Sequence, residues 1–514
     1  MPQVSGQPKA SFWTQVAAFP ANFWVANGME LLERLAFFGV RAVAPLFLVK
    51  SAEENGLGLA FDEKGYIYMW WALLQCLIPM VSGGYTDRYG YRKSLVVAFT
   101  LNIAGYIGMA NSKPIADALA QAGWPGAGYW VFLLAACFVA TGTAIFKPPV
   151  QGVIAKATDE RSSSVGWGLF YWVVNIGGAL APMLAAPLRG QIDWHYVFYG
   201  AALVTSLNFL PALLLFREPE APPGAPGEES QVARTSFGVF VASIRTIFHD
   251  PRLIAFLLIF SCFWLMFMQL WDLLPNFIDE WVDTSDVAPG FAWASQGFGG
   301  GWVLENGQTK PEMIININSW SIILLVLPIS WLIGRINKVA AMVVGMTISL
   351  VGFVGCGLTT VGLFVCACLL VFSIGEMTCS PTFNAYVALI APPDKKALYM
   401  GYANIPFAIG WAAGNGLAGV LYERLASKVN LARHYLREHL GMDPQAVAAL
   451  DKDAVLAELA ARLPDAGPSE ATRLLWETYA PQMVWIYLGL VGLAGTLGMV
   501  IFYQVTRRAA ARRA

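Results

Sequence analysis

Twelve apolar runs of 20 or more residues leave a chain of 514 residues few ways to fold. Hydrocarbon offers no water to backbone N–H and C=O groups, so a run that crosses about 30 Å, roughly 20 residues, must pair them within itself as a helix. The runs lie at approximately 20–49, 65–86, 92–111, 128–155, 163–188, 195–216, 253–278, 312–334, 339–360, 362–391, 398–423 and 482–506. Composition points the same way: 57% of residues are hydrophobic and 13% charged, with a mean hydropathy of +0.54. A soluble domain has roughly 45–50% and 25%. The expected fold is an all-α membrane protein of 12 transmembrane helices.

The stretch REPEAPPGAPGEESQVARTSFGVFVASIRTIFHDPR after the sixth run has the Pro, Gly and Glu content of a solvated linker. It divides the chain into a six-helix bundle over 1–216, a cytoplasmic linker over 217–251 and a second bundle over 252–514. The start, ASFWTQVAAFPANFW, has no cleavable signal pattern, so the first span is expected to be retained. Lys and Arg orient the whole, because short segments rich in them stay in the cytoplasm. With both termini there, cytoplasmic segments hold 18 of them. The short outer loops hold five: Lys50, Lys64, Lys113, Arg189 and Lys310. A long outer segment at about 425–480 carries DPQAVAALDKDAVLAELAARL, whose spacing predicts small amphipathic helices outside the bilayer.

That long segment, from 424 to 480, holds seven more Lys and Arg, and of the 33 in the chain three then remain inside spans: Arg34, Arg41 and Lys147. At about 100° per residue, Glu30, Glu33, Arg34, Phe37, Phe38 and Arg41 share an arc of about 140° on the first helix. Charge inside a membrane is costly and usually lines a pathway, so this face is expected to turn from lipid toward a cavity. Two blander readings stand beside it: ion pairs that only hold helices together, Glu30 and Arg34 satisfying each other at i,i+4, and snorkelling of Arg41 to the interface. Lys147 sits in GTAIFKPPVQG, where Pro148 and Pro149 interrupt the helix and free backbone groups, as happens beside cavities.

The second half has the opposite balance. Glu376 lies mid-span in VFSIGEMTCSPTFNAYV with no cation in any second-half span. Asp272 in FMQLWDLLPNF is a pocket residue or a wet helix end, and Asn316 and Asn318 in ININSW face a cavity or bridge helices. The whole describes a dipolar chamber, with Arg34, Arg41 and Lys147 on one wall and Glu376 and Asp272 on the other. Such a chamber suits a zwitterion. Glu30 or Glu33 is the natural proton carrier, with Arg34 and Lys147 as alternative partners.

Other chemistries find no support. The seven cysteines fall in apolar segments without a CxxC pair, against a disulfide framework or a zinc site. No nucleophile with a base, metal cluster or phosphate loop marks an enzyme. A net charge of −1 gives no reason to expect a nucleic-acid partner.

Several motifs resemble one family. GGYTDRYGYRK, residues 83–93, looks like the cytoplasmic signature of major facilitator transporters between their second and third helices. GMELLERLAFFGVRA resembles the ExxER motif of proton-dependent oligopeptide transporters, FKPPVQG their FKPN segment and FYWVVNIGGALAP their FYxxINxGxxxxP signature. ININSW and GEMTCSP resemble their eighth- and tenth-helix substrate segments. The resemblance implies a major facilitator fold of two pseudo-symmetric bundles, in a bacterial inner membrane, importing di- or tripeptides or related small zwitterions with protons by alternating access. It implies no cofactor beyond the proton gradient, a lipid bilayer as surroundings and a monomeric state.

Position by position, the resemblance assigns proton coupling to Glu30, Glu33, Arg34 and Lys147. It assigns carboxylate recognition to Arg41 and Lys147, ligand backbone and amino terminus to Asn175, Asn318 and Glu376, and gating to Asp87, Arg88 and Arg92. Departures loosen the substrate: Phe37 and Phe38 replace a tyrosine pair, Cys76 stands near a second-helix tyrosine, and Phe267 and Met268 stand where acids are common. Asp272, a turn beyond, is a candidate replacement. Trp264 and Trp411, with Trp70, Trp71 and Trp271, are candidate walls for an apolar ligand. The alternatives are a major facilitator carrying a non-peptide amphipathic or anionic metabolite, and a non-transporting sensor or scaffold.

Overall fold

The computed structural model describes residues 12–79, 82, 86, 89–158, 162–191, 193–218, 251–298, 300–333, 336–390, 402–462 and 468–511. These are almost entirely helical. The first group comprises α1 (Phe12–Ala18), α2 (Ala21–Val49), α3 (Phe61–Leu77), α4 (Tyr91–Ala110), α5 (Ser112–Gln121), α6 (Ala127–Ala157), α7 (Ser163–Gln191) and α8 (Trp194–Leu207). The second begins with α9 (Pro251–Asp272), α10 (Leu274–Trp281), α11 (Ala288–Ser295), α12 (Pro311–Ile315), α13 (Ile317–Ile333), α14 (Lys338–Gly357) and α15 (Gly362–Ile390). It ends with α16 (Asn404–Leu425), α17 (Lys428–Glu438), α18 (Pro444–Ala449), α19 (Lys452–Arg462), α20 (Pro468–Tyr479) and α21 (Met483–Ala511).

Ten helices among the described residues are long and apolar enough to cross a membrane. The other two expected spans are α2, where Glu30, Glu33, Arg34 and Arg41 interrupt the apolar run, and α3, with 17 described residues. The protein is an integral membrane protein. The linker expected over 217–251 lies outside the described residues except at its ends.

Within each group, small residues let helices approach closely. A Cβ on Gly105 of α4 would stand 2.8 Å from the Ala135 oxygen of α6, and one on Gly352 of α14 would stand 2.5 Å from the Phe372 nitrogen of α15. Between the groups the largest contact is α3 against α16. Here Gly65 and Gly419 face each other so closely that either Cβ would meet the other glycine's Cα at 3.0 Å.

The bundle has one end that carries residues 50–60, 282–310 and 426–482, the loop-rich end, and an opposite end where α2, α9 and α16 begin. Helices α17 to α20 form on the loop-rich end and bury Leu431, Leu436, Val447, Val455, Leu459 and Leu475 against the main core. From α19, Lys452 Nζ reaches into the first group, donating to the Val49 oxygen at 3.1 Å and the Leu59 oxygen at 2.8 Å. At the same end Lys50 pairs with Asp279 at 2.7 Å, and Arg189 with Glu312, a bidentate contact at 2.8 and 2.7 Å.

Three of the five cations expected in wet outer loops are therefore not in water. Lys64 and Lys310 are 2% and 1% exposed, and the Arg189 side chain 8%. Each is desolvated because two helix ends from opposite groups close over it: α3 on α9 and α10 for Lys64, α7 on α12 for Arg189 and Lys310.

Candidate functional site

The ionisable face of α2 meets α6. Pro45 leaves the stretch from Ala21 to Val40 undisturbed, so the 3.6-residue repeat keeps Glu30, Glu33, Arg34 and Phe37 on one side, all buried. Arg34 Nε donates to Glu33 Oε2 at 2.6 Å and lies 3.4 Å from Glu30 Oε1. Lys147 of α6 pairs with the same Glu30 oxygen. Thr143, one turn before Lys147, donates to Glu33 Oε1 at 3.1 Å. Two carboxylates and two cations thus form one buried network, with Glu30 shared between Arg34 and Lys147. Lys147 is its most exposed member, with 22% of its side chain accessible. Glu30 Oε2 is buried and receives no hydrogen bond among the described residues.

On the second group, Asn318 of α13 donates to Glu376 Oε2 at 2.8 Å and to Ser373 Oγ at 3.0 Å, both on α15. Among the described residues Glu376 has no cationic partner, and its side chain is half-buried rather than sealed. Asn175 of α7 donates to the Tyr171 oxygen in its own helix at 2.8 Å. Phe38 bridges the groups: its ring lies 6.1 Å from Trp271, and a Cβ on Gly178 would stand 3.5 Å from its edge. Arg34 lies over the Phe37 and Phe38 rings at 4.6 and 5.5 Å, a cation–π arrangement. Trp264 packs edge-on against Phe407 at 4.9 Å, its Nε1 buried and without a partner among the described residues.

Arg41 and Asp272 depart from the chamber expected between them. Rather than facing each other across a void, they form an ion pair, 3% and 1% exposed. The remaining Asp272 oxygen accepts Trp411 Nε1 at 2.8 Å and Asn415 Nδ2 at 2.9 Å. Arg41 is enclosed by the rings of Tyr68, Trp71 and Trp411 at 4.4, 5.4 and 5.1 Å. Asp272 is the last residue of α9, and the break before α10 turns its carboxylate inward, which excludes the wet helix end. Lys64 completes this cluster and was invisible in the sequence because FDEKG reads as loop. In the folded chain Glu63 accepts the Ala60 N–H at 2.9 Å, which fixes the start of α3 and puts Lys64 in its first turn.

The candidate residues therefore fall into three clusters: Glu30, Glu33, Arg34 and Lys147; Asn318 and Glu376; and Arg41, Asp272 and Trp411. Of the three gating candidates, Arg92 donates to the Phe216 oxygen, while Asp87 and Arg88 lie outside the described residues.

A family model described as the Major Facilitator Superfamily matches residues 30–300 and 289–427. The chain belongs to the Major Facilitator Superfamily. Within the superfamily it is similar to the peptide transporter YePEPT of Yersinia enterocolitica, at 27% identity over 192 residues, 37% of this chain and 34% of that protein. The chain thus spans about a third of that relative's length. It is also similar to the multidrug resistance protein MdtH of Yersinia pestis, at 22% identity over 405 residues, 77% of this chain and 85% of that one. A solved structure of a POT family transporter in complex with 5-aminolevulinic acid shares the fold, with a TM-score of 0.66 at 16% identity over 95% of this chain and 99% of that one. Of these, the YePEPT match agrees with the oligopeptide-transporter resemblance of the motifs, and the solved structure agrees with the fold it implies.

Proposed function

We propose that this major facilitator is a proton-coupled symporter that imports di- or tripeptides or related small zwitterions by alternating access. The observation that carries the reading is the sharing of one Glu30 oxygen by Arg34 and Lys147. A proton on the unpartnered Glu30 oxygen Oε2 removes the charge that holds Lys147, and the freed ammonium then joins Arg41 in receiving a ligand carboxylate. Glu376, presented by Asn318, receives the ligand ammonium. Coupling follows because carboxylate and proton bind together: without the proton, Lys147 stays with Glu30.

The contacts at the loop-rich end belong to a state closed on that side. The Lys and Arg distribution supports placing that side outside, with both termini in the cytoplasm of a bacterial inner membrane. Opening it is the half-cycle that admits ligand.

The test is uptake into proteoliposomes. Glu30→Gln, like Glu33→Gln in the same network, abolishes accumulation driven by a pH gradient but spares exchange of ligand across the bilayer; driven accumulation equal to wild type in Glu30→Gln would refute the coupling role. Lys147→Ala weakens recognition of a dipeptide more than of its amide, and equal losses remove the carboxylate assignment. A second reading, transport of a non-peptide amphipathic or anionic metabolite, is favoured by the longer match to MdtH and by the unhydroxylated Phe37 and Phe38. A ligand panel separates the two, since only a true cargo accumulates with the gradient.

A further inference from the structure

One buried cation has no part in that cycle. Lys64 Nζ donates to the backbone oxygen of Asp272 at 2.8 Å and to Asn276 Oδ1 at 2.6 Å, with the Phe61 ring 5.2 Å away. Among the described residues it is in no ion pair, although it stands on the opposite group from both acceptors. The two other carboxylates whose charge reaches it have donors of their own. Glu280 accepts the Tyr422 hydroxyl at 2.8 Å and Glu423 the Phe61 N–H at 2.6 Å.

Burial pulls the Lys64 ammonium down to about 7 from 10.5, and whenever it is protonated the directly bonded cluster holds two cations, Arg41 and Lys64, and one carboxylate, Asp272. A single further carboxylate would balance it. Arg41 cannot leave Asp272 alone, because removing one member of a buried pair strands the other in an apolar interior. Lys64 is already bonded to the main chain of the residue that would be stranded. The Asp272 charge already acts on its ammonium, which is bonded at 2.8 Å to the same residue's backbone oxygen.

We propose that Lys64 is a positioning residue for ligand recognition, the cation that takes over Asp272 when a ligand carboxylate engages Arg41. This rests on the reading of the ligand as a carboxylate-bearing zwitterion. In the unloaded state Arg41 holds Asp272 and Lys64 rests on two neutral oxygens. In the loaded state Arg41 holds the ligand, Lys64 holds Asp272, and each charge has a partner. The geometry of Arg41 is thus available to ligand only because a second cation waits beside its acid.

Thermal unfolding of the purified full chain tests the hand-over without any ligand. Arg41→Met alone is expected to lower Tm modestly, because Lys64 moves to Asp272. Arg41→Met with Lys64→Met lowers it by more than the two single losses together, and the excess disappears when Asp272→Asn is added. A double variant that fails to fold while the triple variant folds supports the same conclusion. Additive losses, or an excess that persists with Asp272→Asn, overturn it.

Competition by alanylalanine and its C-terminal amide in proteoliposomes tests the use. Lys64→Met lowers the preference for the free carboxylate by about tenfold, the scale of one charge-assisted contact, and Lys64→Arg restores it. Wild-type protein that does not discriminate overturns the zwitterion reading and the use of Lys64 with it. Discrimination by wild type that Lys64→Met leaves unchanged overturns the role of Lys64 alone.

Discussion

Gly65→Ala should open the loop-rich end. The added Cβ would stand 2.6 Å from the Asn415 oxygen and 3.0 Å from the Gly419 Cα, both backbone atoms of α16 that cannot rotate aside. Ordinary contact begins near 3.4 Å, so α3 and α16 must separate by about 0.8 Å at their crossing. Overpacking of this kind costs about 1–3 kcal/mol. Because α3 and α16 belong to opposite groups, the cost falls on the closed state and is relieved when the groups part. The ratio of closed to open then falls about 5- to 150-fold. Spin labels at Asp117→Cys and Glu470→Cys, exposed at this end in opposite groups, report the change in a background without the seven native cysteines. The longer-distance population should grow, and Gly28→Ala, whose Cβ meets nothing within 4 Å, should leave the distribution alone. A folded Gly65→Ala protein with the wild-type distance distribution would refute the wedge.

Three other outcomes follow from buried polar groups. Arg189→Met strands Glu312, whose side chain is fully buried, and should lower stability by about 3–5 kcal/mol in thermal unfolding, most of it recovered by adding Glu312→Leu. Trp411→Phe removes the 2.8 Å bond to Asp272 and should cost about 1.5–3 kcal/mol, the range for hydrogen bonds to charged groups, measured the same way. At the loop-rich end, burial pushes the Glu280 carboxyl up to about 7 from 4.5, against the opposing Tyr422 hydrogen bond. The folded state then holds this proton more tightly than the unfolded one, so stability falls as pH rises from about 4.5 to about 7 and levels off above, with a slope of at most about 1.4 kcal/mol per pH unit. Glu280→Gln should abolish that slope in unfolding measurements between pH 4 and 8; an unchanged slope assigns it to another group.

The Glu30, Glu33, Arg34 and Phe37 face was legible because residues three and four apart on a helix are neighbours whatever surrounds it. Lys147 beside Pro148 and Pro149 was legible for a similar local reason. Glu376 stood out as a mid-span acid without a cation and Asn318 as a polar residue of a span, their ligand roles came only from likeness to a family's segments, and their hydrogen bond, between residues 58 apart, needed the packed chain. Arg41 shows the limit most clearly: its position on the ionisable face could be read, yet its partner stands 231 residues away.

The apolar runs by themselves determined that long helices cross the membrane, roughly where these lie, and that the charged face must avoid lipid, since backbone pairing in hydrocarbon leaves a long apolar segment one regular conformation. Only the tertiary structure decided which charges are dry and which acid each cation meets. Lys64 and Arg189 look like loop residues in sequence because burial there is produced by two helix ends arriving from opposite groups, and desolvation depends on what closes over a side chain rather than on its neighbours along the chain.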